Sequence, residues 1–190
     1  MSLPRISALD CSLLVIDIQE KLLVAMPDAP TLLRDVGFLM DAAKLVQVPL
    51  LGTEQYPKGL GPTAAEIARR LPGELPAKVA FSSCGAPGVL ADLRSTGRKK
   101  VVLVGMETHV CILHTALDLI ADGFEVFLPV DGLQSRFRLD HDTALRRLER
   151  AGATLTTVET TAFEWLGGAD HPQFKAVSKL IRERMATLAG

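Results

Sequence analysis

The feature that most narrows the folds open to this chain is an alternation of two hydrophobic rhythms. Short unbroken apolar runs rich in β-branched residues, SLLVIDI (12–18), VPLLGT (48–53), KVVLVG (100–105) and FEVFLPV (124–130), stand apart from one another. Between them apolar residues recur every three or four positions. A strand with one wet face would alternate polar and apolar, so unbroken runs read as strands buried on both faces. Leu32, Leu33, Val36, Leu39, Met40, Ala43 and Val46 trace one face of a helix entered after Pro30. Thr63 followed by Glu66 reads as the capping box of a short helix ending near Pro72. VLADLRS (89–95) is helical and stops at Gly97. The next helix carries Cys111, buries Val110, Leu113, Leu117 and Ile120, and ends at Gly123. Asp140 is expected to cap a helix running to Ala151, and ATLTTVE (153–159) reads as a further strand. A last helix over 174–188 carries Phe174, Val177, Leu180, Ile181 and Met185. Repeated β–α units predict an α/β fold: a mostly parallel sheet in a three-layer αβα arrangement, as one domain over 1–190.

A chain of 190 residues has room for such a core, and 48% hydrophobic against 23% charged residues is ordinary for a globular protein. The formal net charge of -1 supplies no general basic field for nucleic acid or an anionic membrane, so neither is expected as a partner. No apolar run approaches the roughly 20 residues of a membrane span, and the N-terminus lacks the apolar stretch of a signal peptide. Cys11, Cys84 and Cys111 are odd in number and far apart, with no zinc-like or redox pair. A reducing, cytoplasmic setting with free thiols is the expectation.

In open parallel sheets ligands sit beyond the carboxyl ends of the strands. That rule names a short list: Asp17, Thr53, Glu54, Gly105, Met106 and Asp131. Asp17 ends an apolar strand, where a carboxylate either caps the following turn or needs a partner. Cys111 falls in the first turn of its helix. There it is either a small buried hydrophobe or a nucleophile facing the positive end of the helix dipole. Lys78, in PAKVAFSSC, is one of few charges in an apolar stretch, and Cys84 reads as incidental. His109 and His114 flank Cys111, so a Cys–His dyad stands as a candidate, with His114 one turn on and better placed. A phosphatase loop would need Arg at position 117, which is Leu, and no phosphate-binding, zincin or serine-hydrolase motif occurs.

Three pieces in order, LLVIDIQEKL, KVAFSSC and GMETHVCILHTALDL, resemble the isochorismatase-like cysteine hydrolases, relatives of nicotinamidase and N-carbamoylsarcosine amidase. The stretches GTEQYPKGLGPTAAEI and HPQFKAVSKLI resemble the isochorismatase-domain-containing branch. The resemblance implies a catalytic triad of Asp17, Lys78 and Cys111. It also implies an oxyanion hole from the backbone N–H groups of Glu107 and Cys111, beside a cis peptide between Met106 and Glu107. Lys78 is expected to lower the thiol pKa. Nicotinamidase-like members carry an Asp-x-His metal pair after the second strand. TEQYP here has no histidine, so no metal and no cofactor is expected, and nicotinamide is disfavoured as substrate. True isochorismatases cleave a vinyl ether without a thiol, so Cys111 favours a small amide or other acyl substrate. Gln19, Glu54, Gln55, Tyr56 and Met106 are expected to shape the pocket. A homo-oligomer is expected from the resemblance and from the apolar face of the last helix. The competing readings are an oligomeric scaffold or binding module with little turnover, and a thiol-based redox sensor.

Overall fold

The computed structural model describes residues 5–186. Seven parallel-paired strands form its sheet: β1 (Cys11–Ile16), β2 (Leu50–Gln55), β3 (Ala77–Lys78), β4 (Lys100–Met106), β5 (Glu125–Pro129), β6 (Leu133–Gln134) and β7 (Thr154–Thr156). The order across the sheet is β3-β2-β1-β4-β5-β7, and β6 pairs with β4. The helices are α1 (Glu20–Leu23), α2 (Ala29–Leu45), α3 (Pro57–Leu60), α4 (Ala65–Ala68), α5 (Val89–Ser95), α6 (Leu113–Ala121), α7 (Arg138–Arg150), α8 (Val158–Leu166) and α9 (Phe174–Ala186).

Alternate residues of each central strand feed opposite layers. Leu13 and Val15 of β1, with Val102 and Val104 of β4, pack against α2, α8 and α9. Leu14 and Ile16, with Val101 and Leu103, pack against α5, α6 and α7. Both faces are therefore covered, which is why these strands read as unbroken apolar runs. The expected αβα sandwich with a mostly parallel sheet is what forms.

Several local expectations are corrected. The second strand runs on to Gln55, so Glu54 and Gln55 lie within it. Thr63 caps nothing: its N–H and hydroxyl both donate to Glu54 Oε1 at 2.7 Å, and α4 starts after Ala64. Phe137 occupies the N-cap of α7, which leaves Asp140 inside the first turn. The apolar run after Ala153 is a three-residue strand followed by α8, whose start is capped by Thr157 accepting from Thr160 N–H. In α6 the buried positions are Leu113, Thr115, Ala116 and Leu119, whereas Leu117, Ile120 and, in the turn before the helix, Val110 are half-buried. The last helix is described over Phe174–Ala186, and the expected end near Leu188 lies outside the described residues. Its apolar face is largely used within the chain. Val177 and Ile181 are buried, Phe174 and Leu180 pack on the core, and Met185 is left exposed.

Candidate active site

The site lies where β1, β2, β3 and β4 end. Gly105 brings two of these ends together. It pairs with Ile16 across the β1–β4 ladder, and a Cβ at Gly105 would stand 2.1 Å from the Ile16 carbonyl oxygen. Only glycine allows that approach. Directly after Ile16 the chain turns through Asp17 at φ 53, a left-handed conformation in which Asp is among the better tolerated residues. The Asp17 N–H still donates to Thr53 O at 3.2 Å. The turn therefore sends the carboxylate into the protein while the backbone stays in the sheet.

β3 lies beside β2, with Lys78 opposite Gln55. The Lys78 ammonium donates to Asp17 Oδ2 at 2.6 Å, to Gln55 Oε1 at 2.7 Å and to the Phe81 carbonyl at 3.0 Å. Three acceptors match the three protons of an ammonium group. Both side chains of the Lys78–Asp17 pair are 0% exposed. A buried charge is sustained only by such pairing. Gln55 is held by its own bonds: Nε2 donates to Val79 O at 2.9 Å, and its N–H donates to Gln19 Oε1 at 2.8 Å. The other Asp17 oxygen, Oδ1, accepts from the Thr53 hydroxyl at 2.8 Å.

Cys111 sits in a π-turn over Thr108–Ile112, closed by Ile112 N–H donating to Glu107 O, rather than in the first turn of an α-helix. π-turns inside helices occur often at functional sites. Its Sγ lies 4.0 Å from Gln55 Oε1, and the residue is 5% exposed. The thiol pKa is pushed up to about 12. Burial is the main cause, the Asp17 charge adds to it, and Lys78 opposes it. The expectation that Lys78 would leave the thiol pKa lowered is therefore reversed: desolvation outweighs the cation.

The histidines face elsewhere. His114 Nδ1 is within 2.7 Å of the Val110 carbonyl and its ring meets Phe81, while His109 Nδ1 bonds the Ser135 hydroxyl at 3.0 Å. Neither pairs with the thiol in these contacts. The Met106–Glu107 peptide is cis. The Glu107 carboxylate is buried and accepts from Arg136 N–H at 3.2 Å and Arg136 Nε at 2.8 Å.

Of the residues expected to shape a pocket, Gln55 touches both Lys78 and Cys111. Gln19 braces the Gln55 backbone and donates to Gly61 O, Glu54 turns toward Thr63, and Met106 is fully buried. Tyr56 is 53% exposed and its ring lies against Gly59. Tyr56, Val79 and Phe81, whose backbones bond Lys78 and Gln55, are exposed. Among the described residues, no group of three or more His, Cys, Asp or Glu is placed to hold a metal ion. Sequence reasoning missed Ser83 and Thr115, and reached Thr53 only through the strand-end rule. Small hydroxyl residues at strand ends and in loops carry no pattern that separates them from ordinary turn formers.

Residues 11–160 match the model of the isochorismatase domain family. Isochorismatase domain-containing protein 2A of Mus musculus is 39% identical over 183 residues, covering 96% of this chain and 87% of the mouse protein. A solved structure from Caenorhabditis elegans described as MAR1 ribonuclease is 40% identical with a TM-score of 0.87, covering 93% of this chain and 92% of that one. The Escherichia coli YcaC gene product, described as an octameric hydrolase of unknown specificity, superposes with a TM-score of 0.87 at 24% identity, over 100% of this chain and 97% of its own.

Proposed function

The chain belongs to the isochorismatase-like hydrolase family, and we propose that within it the protein is a metal-independent cysteine hydrolase cleaving a small amide-like C–N bond through a thioester on Cys111. One observation carries this reading. A fully buried ammonium–carboxylate pair at 2.6 Å stands against a buried thiol. Such a pair is a poor way to stabilise a fold, since desolvation offsets most of its attraction. It is a good way to move a proton.

In the proposed mechanism the Cys111 S–H proton passes to Asp17 as sulfur attacks the carbonyl carbon. The C=O π electrons move to oxygen, and the backbone N–H groups of Glu107 and Cys111 receive the oxyanion. Collapse of the tetrahedral species breaks the C–N bond, and the leaving nitrogen takes the proton from Asp17. Water then attacks the thioester, Asp17 accepts its proton, and the expelled thiolate recovers it. Lys78 holds Asp17 in place and offsets negative charge as it shifts toward sulfur.

Screening small amides for ammonia release tests this. Wild type, Cys11→Ala and Cys84→Ala are expected to turn over an amide of the panel, Cys111→Ala to be inactive, and EDTA to leave the rate unchanged. Turnover by Cys111→Ala at the wild-type rate would remove the thiol from the chemistry. Absence of turnover across the panel would favour a binding or scaffold role.

The C. elegans relative described as a ribonuclease raises phosphodiester cleavage as a second reading. Against it stand the net charge of -1 and reacting groups no more than 5% exposed, whereas a polyanion calls for an open basic groove. Incubation with a labelled RNA oligonucleotide decides between them, and intact RNA is the expected result. We further infer a homo-oligomer in a reducing, cytoplasmic setting. The three cysteines are free, and no helix among the described residues is long and apolar enough to cross a membrane. Support for self-association moves from α9 to the exposed apolar residues around the site.

A further inference from the structure

We propose that Thr53 and Ser83 form a hydroxyl relay that positions Asp17 for proton transfer. Thr53 is coupled to Asp17 twice, through the bond from Asp17 N–H to Thr53 O at 3.2 Å and through its own hydroxyl on Asp17 Oδ1 at 2.8 Å. Thr53 Oγ1 also lies 3.1 Å from Ser83 Oγ. A hydroxyl has one proton. Thr53 gives its proton to Asp17, so Ser83 must donate to Thr53, and the direction of the chain is fixed toward the carboxylate. Ser83 in turn donates its N–H to Thr115 Oγ1 at 2.8 Å. Thr115 lies four residues after Cys111, one helical turn on. Ser83, Thr53 and Thr115 are all buried, at 0%, 1% and 0% exposure.

The relay thus ties the helix bearing the thiol to the carboxylate that takes its proton. Asp17 faces Lys78 from β3 and Cys111 from the π-turn. With Oδ2 on Lys78 and Oδ1 on Thr53, both oxygens are engaged and the carboxyl plane is set. Without Thr53, Oδ1 loses the hydroxyl that holds it, and the carboxylate is freer to rotate about its Cβ–Cγ bond.

This inference rests on the cysteine-hydrolase reading. Its test therefore uses a probe that needs no substrate, iodoacetamide labelling of Cys111 followed by mass spectrometry from acid to neutral pH. Thr53→Val keeps the shape and removes the donor. It is expected to slow labelling about tenfold, the low end for a hydrogen bond to a charged group, and to displace the acid limb of the profile. Thr53→Ser is expected to restore both. A purely structural role would change the melting temperature and leave the acid limb where it was. Wild-type labelling rate and profile in Thr53→Val, with Asp17→Asn still impaired, would overturn the relay and spare the hydrolase reading. Equal labelling of wild type and Asp17→Asn would overturn both. If Thr53→Val fails to fold, Ser83→Ala serves, since it keeps the Thr53–Asp17 bond. A loss of about threefold in the same direction is expected, and an unchanged rate and profile would refute the relay.

Discussion

Asp17→Asn separates two accounts of Cys111 by the sign of its effect. The thiol pKa stands at about 12, raised first by burial and then by the Asp17 charge. At neutral pH the resting thiolate is then about 10⁻⁵ of the protein, against a few per cent for a free cysteine. If reactivity came from that resting thiolate, removing the Asp17 charge would lower the thiol pKa and speed alkylation. If Asp17 instead accepts the proton as sulfur attacks, the amide cannot replace it, and the rate falls by about 10²–10⁴-fold, the usual contribution of a general base. Asn is the appropriate replacement because it tolerates the left-handed φ of 53 and still accepts from Thr53. The assay is iodoacetamide labelling of Cys111 under pseudo-first-order conditions, with circular dichroism to establish the fold and Cys111→Ala to assign the labelled site. Faster labelling in Asp17→Asn would refute the proton-acceptor role and leave Asp17 as a charge that only burdens the thiol.

Lys78→Met leaves a buried carboxylate with one partner lost, so urea unfolding should show a loss of about 3–5 kcal/mol. Asp17→Asn/Lys78→Met should recover more than half of it. A loss in the double variant equal to the sum of the two single-variant losses would mean that the pair is not energetically coupled. Gly105→Ala places a methyl group 2.1 Å from the Ile16 carbonyl oxygen, so β1 and β4 must separate at the site. A lower urea midpoint and loss of Cys111 labelling are expected. Arg184 joins α9 to Asp35, Asp131 and Glu159. Burial opposes the Asp35 charge, but hydrogen bonds from Arg34 and Arg184 outweigh it and hold the carboxyl below its usual range. A depressed folded pKa stabilises above the unfolded value and ceases to do so as pH falls through the folded one. Arg184→Ala should therefore cost about 1.5–3 kcal/mol near neutral pH, with the gap to wild type closing below about pH 4.

The central strands were legible because their burial on both faces leaves a pattern that depends on local sequence alone. Leu13, Leu14, Val15 and Ile16 need no partner to be recognised as buried. What was misread depends on contacts made elsewhere. β3 is two residues long and exists because Lys78 pairs opposite Gln55. α8 begins two residues after β7, so its first turn merged with the strand as a single apolar and threonine-rich run. Thr63 and Glu66 have capping-box spacing, yet Glu54 on the adjacent strand takes both Thr63 donors. The long-range acceptor won over the local one.

The candidate site divides along the same line. Asp17, Gly105 and Cys111 sit at strand ends and just beyond them, where topology alone points, and Gly105 is constrained by a backbone approach that excludes any side chain. Lys78 could be singled out by chemical oddity but not placed, because its three acceptors come from the turn after β1, from β2 and from the loop at Phe81. The direction of the thiol pKa was misjudged for a related reason. Charges can be counted in a sequence, but the water excluded around Cys111 cannot, and here that exclusion decides the sign. In the proposed mechanism, a thiol held protonated until a carboxylate relieves it is inert toward most of what it meets. Selectivity then falls to whatever positions a carbonyl carbon against Sγ. The groups that would do so, Tyr56, Val79 and Phe81 at the rim, carry no pattern beyond being apolar and exposed. The residues of the proposed chemistry are therefore easier to read from sequence than its substrate would be: proton transfer requires particular residue types at fixed contacts, while recognition of a small acyl group can be built from many apolar surfaces.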